Sequence, residues 1–184
     1  MAAPAYDFQN LSPPLVAKIP SNRSEGFVKL SIFMLYVICH NIRSAYNVGS
    51  IFRTADGAGA SKIFLCGYTP APPRTDIAKV ALGAEKSVPW EKYSQTWRLI
   101  ERLKKQGVQI IALEQNPQSV FYDKFKPRFP LALILGSEVK GLPKSILRRC
   151  SEIIEIPMLG EKESLNVSVA FGVAAYQIAK FRKS

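Results

Sequence analysis

Histidine occurs once in the 184 residues, at position 40, and cysteine three times, at 39, 66 and 150. An odd number of thiols at wide, irregular spacing makes no disulfide framework, and a single histidine among them makes no Cys/His zinc site. Reduced thiols are expected, at least two of them in buried strands. No apolar run approaches the roughly 20 residues needed to span a bilayer. The longest early one, IFMLYVIC at 32–39, has the length of a strand. The first thirty residues hold no basic segment followed by an apolar core and a small-residue cleavage site, so a cytoplasmic protein is expected. Acidic residues are also few, 14 against 25 Lys and Arg, for a net charge of +11. That balance favours an anionic partner, nucleic acid or a membrane surface, and does not choose between them.

What is present is a regular alternation. Residues 1–26 carry four prolines and no period, and read as an irregular arm. From near Phe27 to the end, 27–184, one domain is expected, with strands at 32–39, 62–66, 108–113, 131–135 and 152–156. Helices are expected at 47–58, 94–106, 143–149 and 166–181. Strands and helices taking turns predict an α/β fold, a mostly parallel sheet with helices on both faces. The stretch from Tyr68 to Tyr93 opens Pro-rich and predicts a long connection with at most a turn or two of helix. From Val167 to Ala179 only Ser168 and Gln177 are polar, so the last helix is apolar nearly all round. One sheet covers one side of such a helix; a second subunit is expected on the other, with the N-terminal arm as the alternative cover.

Polar, Gly and Ser/Asn residues concentrate just beyond apolar strands in three places: 41–53, 136–142 (GSEVKGL) and 156–166 (IPMLGEKESLN). Ligands in open α/β sheets bind at the carboxyl ends of strands, where free backbone N–H groups and helix starts gather. The three loops are therefore expected to form one site. Nucleotide-binding patterns do not fit it. GAGASK at 57–62 lacks the third glycine of a dinucleotide fingerprint and ends a helix rather than opening one, and there is no P-loop. Ser137 stands outside a G-x-S-x-G elbow. In the first loop Val48, Ile51, Phe52 and Ala55 form a helical stripe, and Arg53 lies off it. A solvated charge is the ordinary reading of such an arginine, and a helix N-cap that of Asn47.

Taken together and in order, NVGSIFRTADGAGA, LALILGSEVKGLP and IEIPMLGEKESLNVSVA resemble the three motifs of the SpoU (TrmH) family of RNA ribose 2′-O-methyltransferases, in the SPOUT superfamily. The resemblance spans roughly residues 30 to 182. It implies a C-terminal deep trefoil knot, a rare exception to unknotted folding. It also implies S-adenosylmethionine as methyl donor and a homodimer packed through the knotted faces. By motif position, Asn47 and Arg53 are the first pair, Glu138 is the acid of the second motif, and Ser164 and Asn166 are the polar residues of the third. Cofactor contacts are implied at Leu113, Gly136, Ile156, Met158, Ser164 and Leu165. Leu113 rests only on ending the strand VQIIAL.

The resemblance gives Arg53 the reacting position. A guanidinium is always protonated, so phosphate binding and stabilisation of a developing alkoxide suit it better than acting as a free base. Asn47 and Asn166 would orient Arg53 or the ribose, and Glu138 would brace its loop, with no metal required. The remaining cations, Arg43, Lys62, Arg74, Lys79, Arg148 and Arg149, are the expected RNA phosphate contacts; they bear on affinity and not on target choice. Transfer RNA and ribosomal RNA both stay open as substrate. Two other readings stand beside this one, a non-catalytic RNA-binding or ribosome-assembly factor and a base-directed SPOUT methyltransferase.

Overall fold

A computed structural model describes residues 33–182. The expected arm at 1–26 and the expected domain start near Phe27 lie outside the described residues. Seven strands are present: β1 (Leu35–His40), β2 (Lys62–Cys66), β3 (Trp90–Tyr93), β4 (Gln109–Leu113), β5 (Val120–Phe121), β6 (Leu131–Leu135) and β7 (Glu152–Glu155). They form one sheet in the order β3-β2-β1-β6-β4-β7-β5. Every pair in it is parallel. The central strands read as unbroken apolar runs, LYVIC in β1 and LALIL in β6, because both of their faces are covered.

Alternate residues of β1 point to opposite cores. Leu35, Val37 and Cys39 join Val48, Ile51, Phe52 and Ala55 of α1 (Ala45–Gly57) and Phe171, Ala174, Ala175 and Ile178 of α6 (Val167–Ala179). Tyr36 and Ile38 face the other way, onto Leu99, Ile100 and Leu103 of α4 (Thr96–Lys105) and Ile146 of α5 (Lys144–Leu147). The period of two in the strands thus splits the apolar residues between two helical layers. The α/β fold with helices on both faces is the observed one. Cys39 and Cys66 are buried and Cys150 half-buried, all three as free thiols. Burial raises the Cys66 thiol to about 11 and that of Cys150 to about 12, so neither is a ready thiolate.

The segment 68–93 departs from expectation. It holds α2 (Thr75–Ala81), α3 (Ala84–Ser87) and the edge strand β3. α2 packs closely on α1, where a Cβ at Gly49 would come within 2.7 Å of the Ile77 carbonyl oxygen. A four-residue edge strand with Glu91 and Lys92 at its centre lacks the apolar run by which the other strands are read. The two-residue β5 is too short to show a period at all. Elsewhere the ends differ by a few residues: α1 begins at Ala45 rather than 47, because Ser44 caps it by accepting the Asn47 N–H.

Candidate functional site

The carboxyl ends of β4, β6 and β7 open into one cavity of about 490 Å³. Leu113 ends β4, Gly136 follows β6, and Ile156 follows β7; Met158, Ser164 and Leu165 complete its wall from the next loop. All six residues expected to hold a cofactor line this cavity. Gly136 makes a close approach that no other residue allows: a Cβ there would sit 2.7 Å from the Gly141 carbonyl carbon and 2.8 Å from the Leu142 nitrogen. Glu114, Glu138 and Glu155 also line the cavity, and among the described residues no Lys or Arg does.

At one edge of the cavity three side chains from distant parts of the chain form a relay. The Asn47 side-chain amide donates to Glu138 Oε1 at 2.8 Å, and the Asn166 amide donates to Asn47 Oδ1 at 3.1 Å. Glu138 further accepts the backbone N–H groups of Arg43, at 2.9 Å, and Ser44, at 3.1 Å. These donors lie just ahead of α1, where N–H groups have no partner within the helix and a carboxylate is favoured. Partial burial works against ionisation of Glu138; the Arg43 amide, the Asn47 side chain and the Ser44 amide outweigh it, and its pKa is lowered. Asn166 has a second duty. Its Oδ1 accepts the Ser168 N–H at 2.9 Å and so caps α6.

Arg53 stands apart from this relay. It lies six residues beyond Asn47 on α1, about a third of a turn away around the axis. The side chain is exposed and makes no hydrogen bond or ion pair with any described residue. Ser164 faces the cavity without a partner among the described residues.

The expected phosphate contacts divide. Arg43, Lys79 and Arg148 are exposed. Lys62 is not a surface cation: only 8% exposed, it pairs with Glu91 at 2.9 Å and lies over the Phe64 ring. Its place in β2, with the aliphatic stem buried and the ammonium turned to a neighbouring strand, accounts for the difference. Arg74 is gripped at two points by Asp76, at 3.0 and 2.8 Å. Arg149 lies over the Trp97 ring and faces Glu101 at 3.4 Å.

Sequence reasoning missed Glu114 and Gln115, directly after β4. Glu114 Oε2 accepts the Leu142 N–H at 2.7 Å, and the Gln115 side-chain amide donates to the Glu163 carbonyl at 2.7 Å. Their only signal is position, a polar pair closing an apolar strand.

Comparison with known proteins places the geometry in a family. The model of the SpoU rRNA Methylase family matches residues 34–176. The chain belongs to that family. A SpoU relative, the 23S rRNA (guanosine-2′-O-)-methyltransferase RlmB of Ralstonia nicotianae, is 32% identical over 149 residues, covering 80% of this chain and 59% of that protein. The chain thus spans about three fifths of the length of the curated SpoU relatives it matches. Among solved structures, the AdoMet-bound rRNA methyltransferase from Sinorhizobium meliloti superposes with a TM-score of 0.76 at 29% identity, over 84% of this chain and 58% of that one. The A. aeolicus TrmH/SpoU tRNA modifying enzyme gives 0.74 at 28% identity, over 80% and 75%.

Proposed function

We propose that the chain is an S-adenosylmethionine-dependent methyltransferase acting on a ribose 2′-hydroxyl of transfer or ribosomal RNA. The observation that carries this is the make-up of the cavity: strand-end backbone and apolar side chains, three carboxylates and, among the described residues, no cation, beside the Asn47–Glu138–Asn166 relay. A site for a phosphorylated nucleotide gathers cations at the phosphates; the start of α6 does line this cavity, but Asn166 Oδ1 already takes the Ser168 N–H there, and no described Lys or Arg joins it. This one carries the opposite sign and suits a ligand that is itself a cation. Its volume lies within the ordinary range for small-molecule sites, about 300–1,000 Å³. Leu113, Ile156, Met158 and Leu165 would receive the adenosyl part, with Gly136 leaving room for close backbone approach. S-adenosylmethionine, when bound, supplies an electrophilic methyl group on a sulfonium.

The chain's own residues then have distinct tasks. Arg53, exposed and unpaired among the described residues, is open to grip an RNA phosphate with its two-pronged guanidinium and to stabilise negative charge developing on the ribose oxygen. Staying protonated, it does not take the proton, which passes to a phosphate oxygen or to water. Asn47 and Asn166 hold the start of α1 against the start of α6, and Glu138 fixes the loop after β6 to the start of α1. Arg43, Lys79 and Arg148 add phosphate contacts.

The active unit is a homodimer in a cytoplasmic setting where these RNAs are found. Support comes from α6, where Val169 is 52% and Tyr176 55% exposed next to the buried side of the same helix. Leu159, in the loop before α6, is 96% exposed. A trefoil knot in the C-terminal part belongs to the same reading; β4 lies between β6 and β7, and the loops beyond those two strands are both bonded to residues after β4. No described helix is long and apolar enough to cross a membrane.

Incubation with labelled S-adenosylmethionine and total RNA, followed by nucleoside analysis, tests the reading. A 2′-O-methylated nucleoside is expected. Label on a base would favour the base-directed alternative, and RNA binding without any transfer the non-catalytic one.

A further inference from the structure

The two walls of the cavity are tied to adjacent residues. Glu114 and Gln115 leave β4 side by side, and β4 itself is pinned to β7 by the Glu114 N–H bonded to the Ile154 carbonyl at 3.0 Å. On one side Glu114 Oε2 accepts the N–H of Leu142, a residue 6% exposed, while Oε1 accepts the Gln115 N–H at 3.2 Å. The loop that returns to Leu142 closes on itself through the Gly141 N–H to Ser137 carbonyl bond at 2.8 Å. Gly141, at φ 59°, lies against the Glu114 carboxylate, so that any side chain there would overlap it. On the other side Gln115 holds the Glu163 carbonyl, the residue before Ser164.

These bonds join the relay at the opposite edge. From Glu114 the path runs to Leu142, back along its loop to Glu138, across to Asn47, on to Asn166, down its loop to Glu163, and through Gln115 to Glu114 again. It is a closed circuit of five side-chain hydrogen bonds and two short stretches of chain, with every side-chain link between 2.7 and 3.2 Å.

We propose that Glu114 and Gln115 are positioning residues: they set the separation of the cavity walls and, through the circuit, hold Glu138 and Asn166 in register. The proposal rests on the cavity being the methyl-donor site. Physical cost favours it. A buried N–H such as that of Leu142 is expensive to leave without an acceptor, so the loop after β6 is held wherever the Glu114 oxygen stands. Gln115 anchors its loop more weakly, by one neutral bond. Neither residue needs to touch the donor to control its affinity.

The test uses the full chain and three variants, E114L, E114Q and Q115L, with two readouts: calorimetric binding of S-adenosylhomocysteine, and amide hydrogen exchange at Leu142. E114L removes the acceptor; its expected results are loss of Leu142 protection and binding weakened by about tenfold or more. E114Q keeps an acceptor oxygen without the charge, and should restore protection and recover part of the affinity lost in E114L, the rest being the share of its carboxylate in the negative lining of the cavity. Q115L should weaken binding about fivefold with Leu142 protection intact. Overturning results are unchanged affinity and protection in E114L, or E114Q as damaging as E114L, since the latter would mean a direct charge contact with the ligand. Should E114L not fold, the comparison of E114Q with Q115L decides by the same readouts. If the parent chain binds no S-adenosylhomocysteine, the donor-site reading fails, and Leu142 protection in E114L and E114Q still judges the clamp on its own.

Discussion

Asn47 and Glu138, 91 residues apart in the chain, meet at 2.8 Å, amide to carboxylate, where the start of α1 faces the loop after β6. The contact joins the first motif to the second, and Asn166 joins the third to both. It also sets the ionisation of Glu138. Burial opposes the charge, and the three donors around it outweigh that opposition. His40, half-buried with Nδ1 2.7 Å from Thr96 Oγ1, has its pKa lowered by burial.

Both shifts fix the sign of a pH dependence. A folded-state pKa below the unfolded value means that the unfolded chain binds more protons between the two, so stability falls on acidification. For His40 the fall begins near its ordinary value, about pH 6.5, and for Glu138 near about pH 4.3. Thermal melting across pH 8 to 3.5 should therefore drop in two stages. His40→Gln should remove the upper stage, and Glu138→Gln should shrink the lower one, to which Asp76, its pKa lowered by the Arg74 hydrogen bond, also contributes. A melting temperature that stays level between about pH 7.5 and 5.5 would show that His40 gains its proton as easily in the fold as outside it.

Arg53→Ala should lower methyl transfer by at least about a hundredfold, the scale of losing a donor aimed at developing charge. Because the side chain is exposed and makes no bond among the described residues, folding stability should shift by no more than about 0.5 kcal/mol, and S-adenosylhomocysteine affinity should hold. Arg53→Lys should recover little, since an ammonium does not reproduce the planar two-pronged contact. Turnover equal to that of the parent would mean a solvated surface charge.

The apolar stripe on α6 leads to a mass. Light scattering should give twice the chain mass at micromolar concentration, and Val169→Asp should yield monomers or loss of fold, because a carboxylate placed in a dry interface is left without partners. Val169 is half exposed in the single chain, so in a monomer the same change would cost little. A parent protein that scatters as a monomer refutes the dimer directly.

How much of this was legible follows from period and length. The central strands were readable as unbroken apolar runs of strand length, and α1 by its period of three to four, each against turn residues at its ends. β3 was not: Trp90, Glu91, Lys92 and Tyr93 make a polar edge with no apolar run. Gly136, Ile156, Met158, Ser164 and Leu165 could be named from motif position and Leu113 from ending its strand, since strand ends in a parallel sheet converge at one rim. The closing of the relay through Asn166, and the hold of Glu114 on Leu142, depend on pairings across 119 and 28 residues that no local pattern encodes. Lys62 was misread for a related reason. A lysine opening a strand looks like a surface charge until the neighbouring strand supplies Glu91.

That division among the cations makes the salt dependence of RNA binding informative. If phosphate contacts carry most of the affinity, the logarithm of the binding constant should fall linearly with the logarithm of salt, and each lost contact should flatten the slope by roughly 0.7–0.9. Arg148, exposed beyond α5, should count as such a contact, as should Arg43 and Lys79. Arg149 is already engaged with Trp97 and Glu101, and Arg74 with Asp76, so neutralising either should change the slope by less. Lys62→Met should leave the slope alone and act on stability instead, because its ammonium faces Glu91 and not solvent. Filter binding at several salt concentrations separates these cases. A slope flattened equally by every one of the six substitutions would mean that the intramolecular pairs open when RNA binds, and the assignment of contacts from the free chain would fall.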